Sequence, residues 1–238
     1  VHAVAGGYMT GAIFVMAISA FYMLRRQDIQ FARSSFRLAA AFGVIATIMT
    51  VQMGDESGYL VTKDQPSKIA AMEAIWETHE APAPLTLFAI PDEEAQMNHA
   101  QVDLPWLFGL MGTRSLSTEI PGIKELTAQA EARIVNGQKA IAVLESLRKD
   151  PNNAQLREDF LAIRDDLGFG LLLKRYTNNV AEATPEMIKQ AAADTIPSVT
   201  PMFWSFRLMV GSGLAMAFVF ILGLYFSAKN VIAEKTWF

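Results

Sequence analysis

A few ionisable or ligating side chains stand in stretches that are otherwise apolar. His2 opens "VHAVAGGYMTGAIF", within a run of residues 1–24 that holds no Asp, Glu, Lys or Arg. Arg207 and Met209 lie in "TPMFWSFRLMVGSG", where a second uncharged run, 208–228, begins. Imidazole and thioether together form the axial pair of a low-spin haem iron and raise its reduction potential. An arginine beside such a haem neutralises a propionate. Each residue also has a plainer reading: a packed histidine, a lipid-facing methionine, an arginine snorkelling to the interface. Ionisable groups inside a membrane are nonetheless functional candidates by default. Gly6, Gly7, Gly11, Gly211 and Gly213 suit close approach of a flat macrocycle, or of a neighbouring helix.

A second group occupies "QPSKIAAMEAIWET", residues 65–78. On a helix, Lys68 and Glu73 are about 140° apart around the axis, at about 100° per residue. They cannot form the i,i+4 pair of a surface helix. Glu73 and Glu77 share a face, where like charges repel. A carboxylate set among Ile, Ala, Met and Trp is a reasonable proton acceptor; the alternative is an ordinary helix with scattered charges. "GDESGY", residues 54–59, reads as a solvated helix end followed by a turn, with Asp55 and Glu56 exposed.

The elements that must position these residues follow from hydropathy. Of the 238 residues, 52% are hydrophobic and 18% charged, against about 25% charged in a soluble domain. The uncharged runs 1–24, 38–54 and 208–228 match the roughly 17–25 residues of a membrane span. The expected fold is an all-α membrane protein, with three transmembrane helices and a mostly helical external domain between the second and third. The expected divisions are a transmembrane helix at 1–24, a cytoplasmic loop at 25–37, a transmembrane helix at 38–54, and an external loop at 55–196. A transmembrane helix with its lead-in follows at 197–228, then a cytoplasmic end at 229–238. The short loop carries Arg25, Arg26, Arg33 and Arg37, and Lys229 and Lys235 follow the last span. Residues 55–196 hold 22 acidic and 13 basic residues. By the positive-inside rule the arginine loop is cytoplasmic and 55–196 lies outside.

Within that external segment, "PGIKELTAQAEARIVNGQKAIAVLESLRKD" predicts a helix with Gly137 as a weak spot. "NAQLREDFLAIRDDLGFGLLL" predicts another. "TPEMIKQAAADTIP" predicts a short helix with Thr184 as N-cap, Pro185 at its first position and Pro197 beyond its end. "EAPAPLTLFAIPDEE" reads as extended. No alternating strands are evident. The absence of cysteine excludes disulfides, thiolate metal sites and thiol catalysis. The net charge of −4 gives no reason to expect nucleic-acid binding. The first residue is not Met and no signal peptide precedes the first span, which suggests a fragment that begins inside a helix; "NVIAEKTWF" ends as abruptly.

"VHAVAGGYMTGA", "GDESGY", "KIAAMEAIWET", "TLFAIPD", "GLLLKRYT" and "FRLMV", in this order and spacing, resemble subunit I of cytochrome bd quinol oxidases. The resemblance covers essentially the whole chain and corresponds to the family's central part: three helices and the external Q-loop, in the longer form marked by residues 170–176. It implies that His2 and Met209 ligate low-spin haem b and that Arg207 tunes it. It implies that Lys68 and Glu73 serve quinol oxidation, with Gln65 and Asp55 near the same site. A ubiquinol or menaquinol would dock there, Trp76 would give the quinone apolar contact, Glu73 would take a proton, and Lys68 would orient the ring. Protons would leave on the periplasmic side of a bacterial inner membrane. The high-spin haem b and haem d, and the cytoplasmic proton path, are expected only in the complete subunit, alongside subunit II and possible small subunits. Two rivals are a haem-free membrane-anchored sensor or assembly protein, and a bd-like paralogue without oxidase activity. Roles for His79 and His99 are not indicated.

Overall fold

The computed structural model describes residues 1–232; Lys235 of the expected cytoplasmic end lies outside the described residues. The chain divides into two compact units, residues 1–60 with 204 onward, and residues 61–203.

The first unit is built on long helices. Helix α1 spans His2–Leu24 and α2 spans Ile29–Asp64. The third, α8, spans Val199–Ala228 and belongs to this unit from Trp204 onward. All three are long and apolar enough to cross a membrane. Buried residues on α1 are Ala5, Met9, Ala12, Met16, Ser19 and Met23. On α2 they are Ala32, Phe36, Ala39, Ala40, Gly43 and Ala46. Both stripes repeat every three or four residues, the spacing of knobs-into-holes packing. The small residues let the backbones approach closely. A Cβ on Gly43 would strike the ring of Phe220, and one on Gly223 would lie 2.7 Å from Met16 Cε and 3.0 Å from Phe36 Cε1. Phe220 therefore lies level with Gly43, and Gly223 with Met16 and Phe36. As α8 advances, α2 recedes, so α8 runs antiparallel to α2 and parallel to α1. Large apolar side chains such as Phe14, Leu38 and Phe218 point outward, as lipid contact requires. Thr47 and Thr50 return their hydroxyls to the carbonyls of Gly43 and Ala46 at 2.8 Å, which satisfies them where water is absent.

The helix α2 runs well past the expected span. "GDESGY" does not turn: helix continues to Asp64, with Asp55 and Glu56 exposed.

The second unit starts with α3, Pro66–Glu73. Strands β1, Leu85–Asp92, and β2, Met97–Leu104, form an antiparallel hairpin that the sequence did not suggest. Asp92 Oδ1 accepts hydrogen bonds from the backbone N–H groups of Glu94 and Ala95 and shapes its turn. Helix α4, Ile123–Lys149, follows as expected. The next expected helix is broken into α5, Ala154–Ile163, a 3₁₀ turn, α6, Leu167–Leu171, and a further 3₁₀ turn at Leu172–Arg175. Gly137 is a contact rather than a weak spot. A Cβ there would strike the backbone of Gly170 and Asp166, and a Cβ on Gly170 would strike Gly137 in return. Two glycines facing one another let α4 and α6 touch backbone to backbone, and continuing α5 straight would prevent that. Helix α7, Pro185–Ala193, begins as its sequence predicts, with Thr184 Oγ1 accepting from the N–H of Met187.

Two apolar cores hold this unit. One gathers Ile69, Ala70, Ala74, Ile75, Phe108 and Phe203 with neighbouring residues. The other joins α4 to α7 through Ile134, Leu173, Ile188 and Ala192.

Candidate functional site

In the helical unit, His2 occupies the first turn of α1. Its ring lies against α2: a Cβ on Gly54 would come within 3.1 Å of His2 Cε1 and 3.5 Å of Nδ1. Glycine at 54 is what makes room for the imidazole. Nδ1 is buried and has no hydrogen-bond partner among the described residues. A buried polar atom left in that state costs about 1–3 kcal/mol, so a group beyond the described residues is expected to engage the ring.

Residue counting along the packed helices puts Met209 near the level of His2. Met16 is fourteen residues after His2, and Gly223 is fourteen after Met209. Met16 and Gly223 touch, and the two helices run in parallel. Stepping back about 21 Å along each, at about 1.5 Å per residue, reaches His2 on one and Met209 on the other. The route through α2 agrees. Gly54 is eleven residues after Gly43, and Met209 is eleven before Phe220.

This half of α8 carries little packing. Leu208, Met209 and Val210 are all exposed, Met209 to 51%. Gly6, Gly7, Gly11, Gly211 and Gly213 would each accept a Cβ without meeting an atom within 4 Å. Among the described residues, Gly43 and Gly223 pack helices, whereas these five face open space that another group or another helix could fill. Arg207 is half-buried, with its guanidinium 5.8 Å from the Phe206 ring centroid. Asp55 is exposed on α2, next to Gly54. An imidazole with an unused ring nitrogen, a thioether at its level and unfilled space beside both fit a haem.

In the second unit, Gln65 is the exposed N-cap residue of α3, and Pro66 opens the helix. Lys68 is half-buried in its first turn. Glu73 is the last helical residue and is only 3% exposed. The helix stops there because Ala74 turns left-handed, with φ 51°. Its N–H then donates to the carbonyl of Ala71 at 3.4 Å and that of Ile75 to the carbonyl of Ala70 at 2.9 Å, which ends a helix in the manner of a Schellman turn.

The expected repulsion between Glu73 and Glu77 is consequently absent, because they do not share a helix. Glu77 is exposed and bonded to Lys124 Nζ at 2.7 Å, and this bond to Lys124 holds its carboxyl below the usual range. Trp76 is 7% exposed and packed in the core, and its indole N–H donates to Asn98 Oδ1 at 2.8 Å.

The segment after Glu73 also caps α4. The N–H groups of Ile123 and Lys124 donate to the carbonyls of Ile75 and Trp76 at 2.8 and 3.1 Å, which satisfies donors that a helix start leaves open. Further along, His79 exchanges both backbone hydrogen bonds with Ile120. Its imidazole pKa is pushed down by burial. His99 is exposed and pairs with Asp92 at 3.3 Å.

The structure thus brings Gln65, Lys68 and Glu73 onto one short helix, and sets His2, Met209, Arg207 and Asp55 in the helical unit. Sequence reasoning missed Asn98, Lys124 and Glu93. The Oε1 of Glu93 accepts from the N–H of Thr200 at 2.9 Å, in the first turn of α8. Only the hairpin turn carried a signal, an Asp followed by acids and Ala after an apolar run.

The family described as cytochrome bd terminal oxidase subunit I matches residues 1–238. Cytochrome bd-II ubiquinol oxidase subunit 1 of Escherichia coli (strain K12) is 38% identical over 237 residues, covering 100% of this chain and 46% of that protein. Cytochrome bd ubiquinol oxidase subunit 1 of Bacillus subtilis (strain 168) is 24% identical, again over 100% of this chain, with 39% of the relative covered. A solved structure of bd oxidase from Geobacillus thermodenitrificans aligns with a TM-score of 0.48 and 19% identity, over 97% of this chain and 56% of that one. The chain spans less than half the length of these two curated relatives. It belongs to the cytochrome bd terminal oxidase subunit I family.

Proposed function

We propose that this chain is the quinol-oxidising, low-spin haem b-binding part of a cytochrome bd-type terminal oxidase, and that it passes electrons from quinol toward oxygen reduction. The observation that carries this reading is the common depth of His2 and Met209 on parallel helices, with a buried ring nitrogen left unsatisfied on His2. The substrate class comes from the relatives, two of which are ubiquinol oxidase subunits by name; ubiquinol or menaquinol would serve the chemistry equally.

His2 and Met209 would hold haem b, which would supply a one-electron acceptor. Arg207, two residues before Met209, would offset propionate charge. Gly54 seats the imidazole against α2 and so fixes the ring plane of His2.

At the quinol site, Glu73 takes the proton that leaves a hydroxyl as the quinol is oxidised. Its burial keeps competing water away from that carboxylate. Lys68 steadies the negative charge developing on the substrate oxygen. Gln65, exposed at the start of the same helix, is the polar group of this unit available to the head group. Trp76 acts through the turn that follows Glu73, because its ring is packed in the core. Residues 55–196 lie on the periplasmic side of the inner membrane, so protons released there add to the proton gradient. The complete enzyme would include a high-spin haem b, haem d, subunit II and small subunits. A haem-free sensor has no such use for the His2–Met209 level; a haem-binding paralogue without oxidase activity would keep it, and oxygen consumption with quinol separates that rival.

Met209→Leu in the assembled enzyme tests the ligand assignment. The change conserves volume and sits at an exposed position, where it costs well under about 1.5 kcal/mol. The subunit should remain in the membrane while the reduced-minus-oxidised spectrum of low-spin haem b disappears. An unaltered spectrum would remove Met209 from the site.

A further inference from the structure

The left-handed turn after Glu73 has no glycine to ease it. Ala74 adopts φ 51° with a Cβ present, a conformation that non-glycine residues keep only where their surroundings hold it. The surroundings are specific. Asn98, on β2, reaches both sides of the turn: its Nδ2 donates to the carbonyl of Ala74 at 2.9 Å, and its Oδ1 accepts from Trp76 Nε1 at 2.8 Å. The second Nδ2 hydrogen goes to Gln101 Oε1 at 3.0 Å. Gln101 is held in turn by Asp103, at 2.8 and 3.0 Å.

The orientation of this amide is not arbitrary. An indole N–H can only donate and a backbone carbonyl can only accept, so the oxygen must face Trp76 and the nitrogen must face Ala74. Ala74 and Trp76 are both buried, so water cannot readily replace Asn98. The residues it grips stand one and three places after Glu73. Together with the bonds from Ile123 and Lys124 to the carbonyls of Ile75 and Trp76, the grip fixes the turn from two sides.

We propose that Asn98 is a positioning residue for Glu73. It holds the left-handed turn that sets the direction of the Glu73 carboxyl, and so makes the β1–β2 hairpin part of the quinol-oxidising machinery. The proposal deepens the reading of Glu73 as proton acceptor and rests on it.

The test uses the assembled, membrane-embedded oxidase with two electron donors, a short-chain quinol and an artificial reductant that bypasses the quinol site. Asn98→Ala removes the whole grip. Asn98→Asp keeps the shape and the acceptor for Trp76 but has no hydrogen for Ala74. Each should lower kcat with quinol on the order of ten- to a hundredfold, the scale of a misplaced catalytic group, with little change in KM and with artificial-donor turnover retained. Adding Ala74→Gly to Asn98→Ala should restore much of kcat, because glycine adopts the left-handed turn without help. A general loss of structure would depress both donors and would not respond to glycine. Unchanged quinol kcat in both Asn98 variants overturns the proposal, as does equal loss with both donors. Glu73→Gln is measured in parallel. If it loses quinol turnover while the Asn98 variants do not, only the positioning role fails. If Glu73→Gln is itself silent, the proton-acceptor reading fails and the positioning role with it.

Discussion

Replacing Gly137 by alanine sets two effects of opposite sign against each other. Gly137 lies in the interior of α4, a 27-residue helix. Helix propensity favours alanine over glycine there by about 1 kcal/mol. Sterics oppose it, because the new Cβ would lie 2.7 Å from Gly170 Cα and would also overlap Gly170 N and the carbonyl of Asp166. These are backbone atoms and cannot rotate away as a side-chain tip can. Overpacking costs about 1–3 kcal/mol, and a backbone obstacle places this case at the upper end. The net expectation is a loss of about 1–2 kcal/mol. The loss falls on α6, which must withdraw from α4. The bond from Arg133 Nε to Asp166 Oδ1 at 2.6 Å would open, as would the stacking of Arg133 4.0 Å from the Phe169 ring centroid. Hydrogen exchange in the assembled enzyme reads this locally: amides of 167–171 should exchange about five- to thirtyfold faster, the equivalent of one to two kcal/mol, with those of α7 unchanged. Equal or slower exchange would show that propensity wins and that the glycine pair is not a tight contact.

Two further outcomes follow from the same geometry. Gly43→Leu drives a side chain into Phe220, parts α2 from α8 and disturbs the common level of His2 and Met209; haem b content per subunit should fall, whereas Gly211→Ala, which meets nothing within 4 Å in this chain, should leave the α2–α8 packing intact. His79 should make residues 79 and 120 acid-sensitive. Its folded pKa lies below the ordinary histidine value because of burial, so the unfolded form binds the proton more readily. The stability it contributes is present above the ordinary value and is lost as pH falls through the folded one. Hydrogen exchange at residues 79 and 120 should quicken on acidification from pH 7 to 5, and His79→Gln should flatten that dependence.

What the sequence disclosed depended on whether the cause was local. The span at 1–24 was legible because hydropathy alone decides it. Thr184 and Pro185 announced α7 because an N-cap is a matter of two or three adjacent residues. The end of α3 was hidden. "KIAAMEAIWET" contains nothing that breaks a helix, and the turn at Ala74 is imposed by Asn98 and by the start of α4, residues distant in sequence. "GDESGY" misled in the other direction: polar residues end a hydrophobic run but do not end a helix, and α2 continues with Asp55 and Glu56 facing outward. The hairpin escaped because β2, "MNHAQVDL", alternates apolar and polar residues only over its last five positions and is exposed along almost its whole length. The roles of Gly54 and Gly137 needed their contact partners to be known. His2, Met209, Lys68 and Glu73 were identifiable as candidates, but their level, burial and turn geometry came from packing.

The central claim is that electrons enter this protein from a quinol whose proton Glu73 accepts. Glu73→Gln preserves the size of the side chain and removes the proton acceptor. Oxygen consumption by the assembled enzyme, measured with quinol and with an artificial reductant, tests it most directly. Quinol-driven consumption should collapse while consumption from the artificial donor persists and the low-spin haem b spectrum stays intact. Undiminished quinol turnover in that variant, or equal loss with both donors, would contradict the account.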